Sequence, residues 1–241
     1  MIKLEHTVLA TNEQMAFVIE GMRNPKNSWD RSDSFACNNP TFCGDCAGFS
    51  DYSICKELNS VGSADLNLMK TLAKAGPVHR KYMRMIPVYV RITAPLYWWK
   101  EFDTYKVGTV ANSCSTMHKL TYKKFESKDF SHDYLIQPNS KAYKLFLQTI
   151  DVLNYYRDLY LAATDEEYKK TMWQQMIQLL PSSYNQTRNV MLNYEVLANI
   201  YEWRKDHKLD EWREFCKWIE DLPNSELITG EFERSNSIDD D

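Results

Sequence analysis

Apolar positions recur along this chain with two periods. In "NEQMAFVIEGM" (12–22) they fall at helical spacing behind a polar cap. "SADLNLMKTLAKAG" (63–76) begins with Ser63 and Asp65 and stops at Gly76, the order of signals for a capped helix. The period then changes. In "IPVYVRITAP" (86–95), Val88, Val90 and Ile92 alternate with Tyr89, Arg91 and Thr93, which predicts a half-buried strand ended by Pro95. Helical spacing returns in the second half. "KAYKLFLQTIDVLNYYRDLYLAA" (141–163) is long and amphipathic, and residues 164–180 open with Thr164 and Glu167, which fit a capping box. After Pro181, residues 186–207 and 209–222 read as two further helices. The sum predicts an α+β chain with helices dominant.

Residues 24–63 gather many of the Asn, Pro, Gly and Ser residues and read as a long irregular excursion. The polar, acidic stretch 230–241 reads as a flexible tail, leaving one expected domain over 1–229. The 241 residues supply ample apolar area, and the 44% hydrophobic and 26% charged fractions match those of globular proteins. A net charge of −4 gives no general pull toward nucleic acid, so no nucleic-acid partner is expected and any anion site must be built from locally placed cations. No apolar run approaches the ~20 residues of a membrane helix, so no membrane partner is expected either. "MIKLEHTVLATNEQ" has no signal-peptide character, which leaves the cytoplasm as the expected compartment and reduced thiols as the expected state of the six Cys.

Candidate chemistry is local. Cys37, Cys43, Cys46 and Cys55 form C-x5-C-x2-C-x8-C, which could hold zinc tetrahedrally; the alternative is a loop carrying reduced, partly buried thiols. His79 follows the Gly76 stop beside Arg80, Lys81 and Arg84, which gives either a phosphate site or a solvated basic turn. His118, His132 and Cys114 have no partner at catalytic spacing. The stretch "WWKEFDTYKVGTVANSCSTMHKL" (98–120) sets Lys100, Glu101, Asp103 and Lys106 next to Trp98 and Trp99. Packing alone does not favour that mixture, so it reads as the floor of a site, with structural ion pairs as the alternative.

Two stretches, taken together, resemble the flavin-dependent thymidylate synthases. In residues 180–216 the family's Leu-Pro, Asn, Leu, Asn and Arg fall on Leu180-Pro181, Asn193, Leu197, Asn199 and Arg204. In residues 78–120 the family's Gly-His turn, strand and Ala-Pro match at His79 and Ala94-Pro95. The family signature, R-H-R-x2-S, falls on Thr104-Tyr105-Lys106 and Thr109, and a one-residue shift recovers Asn112 and Ser115 from its later part. The signature's last Arg has no counterpart, and a further Arg before Leu-Pro falls on Ile177. Thr and Ile cannot replace an Arg fork, and Lys106 keeps only a point charge. Arg188, Lys205, Lys208, Arg80 and Lys119 are the cations available to compensate.

The resemblance implies a helix-dominated subunit around a small antiparallel sheet, assembled as a homotetramer. It implies an FAD-dependent methyltransferase that converts dUMP to thymidylate with methylenetetrahydrofolate and NADPH. His79, Tyr105, Asn193 and Asn199 would line the flavin, and Lys106, Ser115 and Arg204 would hold the nucleotide, with no protein nucleophile needed. The altered signature keeps two alternatives open: a related enzyme acting on another pyrimidine nucleotide, and a non-catalytic nucleotide- or flavin-binding homologue.

Overall fold

The computed structural model describes residues 2–34, 61–115 and 119–230. Four strands, β1 (Lys3–Leu9), β2 (Pro87–Pro95), β3 (Val110–Ser113) and β4 (Asn185–Asn193), form one antiparallel sheet in the order β1-β2-β4-β3. The central pair runs in unbroken register from Pro87 opposite Asn193 to Pro95 opposite Asn185. The alternation expected in β2 is present: Val88, Val90 and Ile92 are buried while Tyr89 and Arg91 face solvent.

Eight helices accompany the sheet among the described residues: α1 (Asn12–Arg23), α2 (Ser63–Lys74), α3 (Leu96–Phe102), α4 (Lys141–Ala162), α5 (Glu166–Leu179), α6 (Tyr194–Arg204), α7 (Asp210–Glu220) and α8 (Glu226–Thr229). Thr11 and Gln14 close a capping box on α1. Gly76, at φ +94°, takes the left-handed conformation just past the end of α2, where a side chain would be strained. The main core packs Val88, Val90, Ile92, Val190 and Leu192 of the sheet against α1, α6 and α7, with Trp98, Trp99 and Phe102 of α3 inside it. Each such side chain fully removed from water contributes about 1.5–3 kcal/mol. A second cluster, Leu120, Phe125, Phe130, Phe146, Ile150, Leu153 and Met176, lies between the α4–α5 pair and the segment leading into it.

Three sequence expectations need correction. Residues 186–207 are not one helix: the first part is β4, and α6 starts only at Tyr194. Burial at Gln186, Val190 and Leu192 follows the two-residue period, and pairing with β2 and β3 outweighs local helix preference. The cap of α5 is Asp165, whose side chain accepts from Tyr168 N, rather than Thr164. β1 and β3 were not anticipated at all; a bulge between Glu5 and Val8, with His6 at φ +52°, disrupts the alternation in β1.

Of the expected excursion, residues 24–34 are described and hold only the short 3-10 turns Asn24–Lys26 and Trp29–Arg31. Cys37, Cys43, Cys46 and Cys55 lie outside the described residues, as does His118. No group of three or more metal-ligating side chains occurs among the described residues. Nor is any described helix long and apolar enough to cross a membrane.

Candidate functional site

The mixed stretch at 98–106 divides its residues between two faces. Pro95 ends β2 and starts α3, a helix of seven residues. Trp98, Trp99 and Phe102 point into the core, where Trp98 packs against Trp99, Phe102, Trp212 and Phe215 with ring centroids 4.7–5.7 Å apart. Trp99 Nε1 donates to the Gln186 carbonyl at 3.0 Å, whereas Trp98 Nε1 is buried without a partner among the described residues. Glu101 and Asp103 project from the other side and meet two arginines.

Arg204, in the last turn of α6, is held on three sides. Its Nε donates to Tyr105 Oη at 2.8 Å, its Nη1 lies 2.9 Å from Glu101 Oε2, and its guanidinium sits 4.8 Å from the centre of the Trp212 ring. Glu101 Oε2 also accepts from Trp212 Nε1 at 2.9 Å, and His207 Nε2 lies 3.6 Å away. Arg188, in mid-β4, is held the same way. It donates from Nε to Gln186 Oε1 at 2.9 Å and from Nη1 to Asp103 Oδ1 at 2.6 Å, and it stacks 4.1 Å over Trp99. Gln186 Nε2 in turn donates to the Cys114 carbonyl at 2.9 Å, which ties β4 to the segment after β3.

The loop from Asp103 to Thr109 runs along α6. At one end Tyr105 meets Arg204. At the other, Gly108 takes φ +80°, and its carbonyl accepts a long 3.4 Å bond from Asn193 Nδ2. A Cβ at Gly108 would stand 2.6 Å from Asn193 Nδ2 and 3.1 Å from Val196 Cγ2, so only glycine fits this approach. Asn193 Oδ1 is the N-cap of α6, accepting from Val196 N at 3.0 Å.

The residues singled out from sequence are therefore distributed as follows. Tyr105 and Arg204 are brought into contact. Lys106 follows Tyr105 and is exposed. Asn199 lies on the exposed face of α6, and Asn193 is engaged by the helix end and by Gly108. His79 is exposed at the N-terminal end of α6, where Arg80 Nε and Glu195 Oε2 approach to 2.9 Å without hydrogen-bond alignment. Glu195 and Arg204 are roughly 13 Å apart along the helix axis, so His79 and Arg204 mark opposite ends of a wall formed by α6 and the Asp103–Thr109 loop. Ser115 lines a separate cavity of about 430 Å³ with Cys114, Lys119, Lys123, Lys124 and Tyr184.

A second cavity, of about 530 Å³, opens at the start of α7 and has acidic walls: Asp133, Asp210, Glu211 and Glu214. Tyr97 hydrogen-bonds to Glu211 there. Burial and that bond raise the Tyr97 hydroxyl above its usual range and keep it protonated. Four carboxylates against the one ammonium of Lys208 leave these walls net acidic, which disfavours a nucleotide. His132 rests on the Phe146 ring with Nδ1 2.8 Å from the Phe130 carbonyl. Burial pushes the Cys216 thiol up to about 12, so it is inert as a nucleophile.

No protein-family model matches the sequence, and no curated protein matches it. Solved structures do. Thymidylate Synthase X (ThyX) from Helicobacter pylori, crystallised with FAD and dUMP, superposes with a TM-score of 0.60 over 95% of this chain and 96% of that one, at 15% identity. The chain has the fold of the flavin-dependent thymidylate synthases. A second ThyX structure from the same organism, also with FAD and dUMP, gives a TM-score of 0.58 at 15% identity and covers 95% of this chain and 97% of that one. The UMP/dUMP methylase PolB from Streptomyces cacaoi, bound with 5-Br dUMP, gives 0.55 at 12% identity, with 95% of this chain and 94% of that one covered. The α+β, helix-dominated reading with a small antiparallel sheet is thus the observed architecture, and it is ThyX-like almost end to end.

The sequence singles out Tyr105 and Arg204, which this ThyX-like scaffold brings into contact, but not their surroundings. Trp212 was legible only as a member of an amphipathic helix. Gln186 lay in a stretch assigned to the wrong element. Glu101 and Asp103 stood out as charges, but their arginine partners are 85 residues or more away in sequence.

Proposed function

We propose that this protein is a flavin-dependent enzyme that methylates the uracil ring of dUMP or a related pyrimidine substrate, working as a homotetramer. It would draw the one-carbon unit from methylenetetrahydrofolate and its reducing equivalents from NADPH. The observation that carries this reading is the correspondence over 95% of the chain with a ThyX structure that contains FAD and dUMP.

The donor set fits a flavin at part of the wall. The exposed Asn199 amide and His79 imidazole can pair with the ring's nitrogens and carbonyls, whereas Asn193 keeps its amide on the helix end and on Gly108. Bound FAD would supply the redox chemistry that the side chains lack. The chain's own part is positioning. Arg204 fixes the Tyr105 hydroxyl, and Glu101 fixes Arg204, so the edge of the site is rigid before a ligand arrives. Exposed apolar residues on α4, among them Leu145, Tyr155 and Leu161, support subunit contacts there. Tyr156, Tyr160 and Trp173 pack instead against the second core cluster, and Trp218 against the first.

The test is a visible absorption spectrum of the purified protein with added FAD, followed by tritium release from C5 of labelled dUMP. Flavin bands and tritium release are the expected results. A protein that takes up no flavin ends the proposal. The departures in the signature stretch favour a second reading, with flavin bound and a different pyrimidine nucleotide as substrate; flavin bands without tritium release from dUMP would select it.

A further inference from the structure

The two arginines in the wall are already neutralised. Arg204 is paired with Glu101 and Arg188 with Asp103, and both carboxylates belong to the stretch that faces the wall. A dianionic phosphate brought to either arginine meets a carboxylate within about one side-chain diameter, and like charges at that range cost several kcal/mol. Displacing Glu101 also strips the Trp212 Nε1 of its acceptor. The wall suits the neutral parts of a nucleotide, its ring and sugar.

A different place is suited to the anion. Beyond Cys114, the cavity of about 430 Å³ is lined by Lys119, Lys123 and Lys124, by the single carboxylate of Asp129, and by Leu120, Phe125 and Tyr184. Lys123 is held by Asp129 at 2.5 Å. Among the described residues, Lys119 and Lys124 pair with no carboxylate, so two ammonium groups are left to face a ligand. A chain of hydrogen bonds links its rim to the arginine wall: the Cys114 carbonyl accepts from Gln186 Nε2, and Gln186 Oε1 accepts from Arg188 Nε.

We infer that the 5′-phosphate of the substrate is held by Lys119 and Lys124 in the cavity beside Ser115, and not by Arg204 and Arg188. The inference rests on the proposed reading of the protein as an enzyme of uracil nucleotides and names the phosphate subsite of that same site. Two ammonium groups match the charge of a phosphate monoester at neutral pH, and they read it as point charges without a bidentate fork. The arginine signature can therefore be lost while nucleotide affinity is kept.

Titration calorimetry on the FAD-supplemented full chain tests this with dUMP and deoxyuridine, which differ only in the phosphate. The wild type should bind dUMP roughly ten-fold more tightly or better. Changing Lys119→Ala and Lys124→Ala together should erase that advantage and leave deoxyuridine affinity alone. A lysine variant that keeps its full preference for dUMP would overturn the inference, as would a Glu101→Gln variant that binds dUMP roughly ten-fold more tightly than wild type. Loss of FAD affinity with the dUMP preference intact would also overturn it, because the lysines would then serve the cofactor. In these three cases the enzyme reading survives. If the wild type binds neither dUMP nor deoxyuridine, both fall.

Discussion

Arg23 Nε and Asp65 Oδ1 face one another at 2.5 Å, and neither side chain is more than 4% exposed. The pair ties the end of α1 to the start of α2 and organises the chain between. Asp65 Oδ2 accepts from Ser32 Oγ, Ser34 Oγ and the Asp33 and Ser34 amides, while the Arg23 guanidinium holds the Ser28 and Arg31 carbonyls. A buried pair of this kind is expensive to halve. Asp65→Asn leaves the guanidinium uncompensated and should cost about 3–5 kcal/mol in chemical denaturation.

The same carboxylate should mark the acid limb of the stability curve. Burial by itself raises the Asp65 carboxyl, but hydrogen bonds from Ser34 and Ser32 and the Arg23 guanidinium outweigh it and hold the group below its ordinary value of 3.8. The unfolded chain therefore takes up the proton first. The contribution is complete above that ordinary value and is lost as pH falls through the lower folded value. Stability measured from pH 6 downward should fall below about pH 4 in the wild type and should be flatter there in Asp65→Asn.

Trp98 and Trp99 are neighbours of equal burial with different obligations. Replacing Trp99 by Phe orphans the Gln186 carbonyl and removes the surface on which Arg188 stacks; replacing Trp98 by Phe removes a donor that has no partner among the described residues. Both substitutions leave a similar cavity, so their difference isolates the polar term. Trp99→Phe should be the more destabilising by about 1–2 kcal/mol. Equal losses would mean that the Trp99 hydrogen bond contributes nothing.

Gly108 and Gly76 share a positive φ but not their surroundings. Alanine at Gly76 meets nothing within 4 Å and bears only the backbone strain, on the order of 1 kcal/mol. Alanine at Gly108 adds a collision with Asn193 and Val196, and should cost about 1–3 kcal/mol beyond that. If the proposed flavin site is right, it should also weaken FAD uptake measured by visible absorption, because the loop then leaves α6.

Glu101 should matter more for stability than its half-exposed position suggests. Glu101→Ala removes the acceptor of both Arg204 and Trp212, with an expected loss of about 1–3 kcal/mol, whereas Glu101→Gln keeps an oxygen for the indole and should lose less than half of that. Thermal melts of the two variants check the order.

The fold was legible wherever one period held over a whole element, as in α1, α2, β2 and α4. It was illegible where two periods meet without punctuation. No Gly or Pro separates β4 from α6, and Asn193 serves as both the last residue of the strand and the cap of the helix. β3 is four exposed residues with no apolar face to betray it. At the site, single residues were visible and pairs were not. Arg204 stood on a matched motif position and Tyr105 on an altered one, but nothing local says that Glu101 and Asp103 take up the two arginines, because that contact exists only once β4, α6 and α3 have come together.

The strand order has a consequence for synthesis. β4 lies between β2 and β3, yet it is made long after both. On the ribosome, β1 and β2 can pair as soon as they emerge, while one edge of β2 and the whole of β3 must wait for residues 185–193. Trp99 waits for Gln186 and Arg188 of β4, and Trp98 waits longer, for Trp212 and Phe215. A nascent chain therefore carries an open strand edge and two unburied indoles through much of its translation, and the sheet cannot cover that edge until β4 is made.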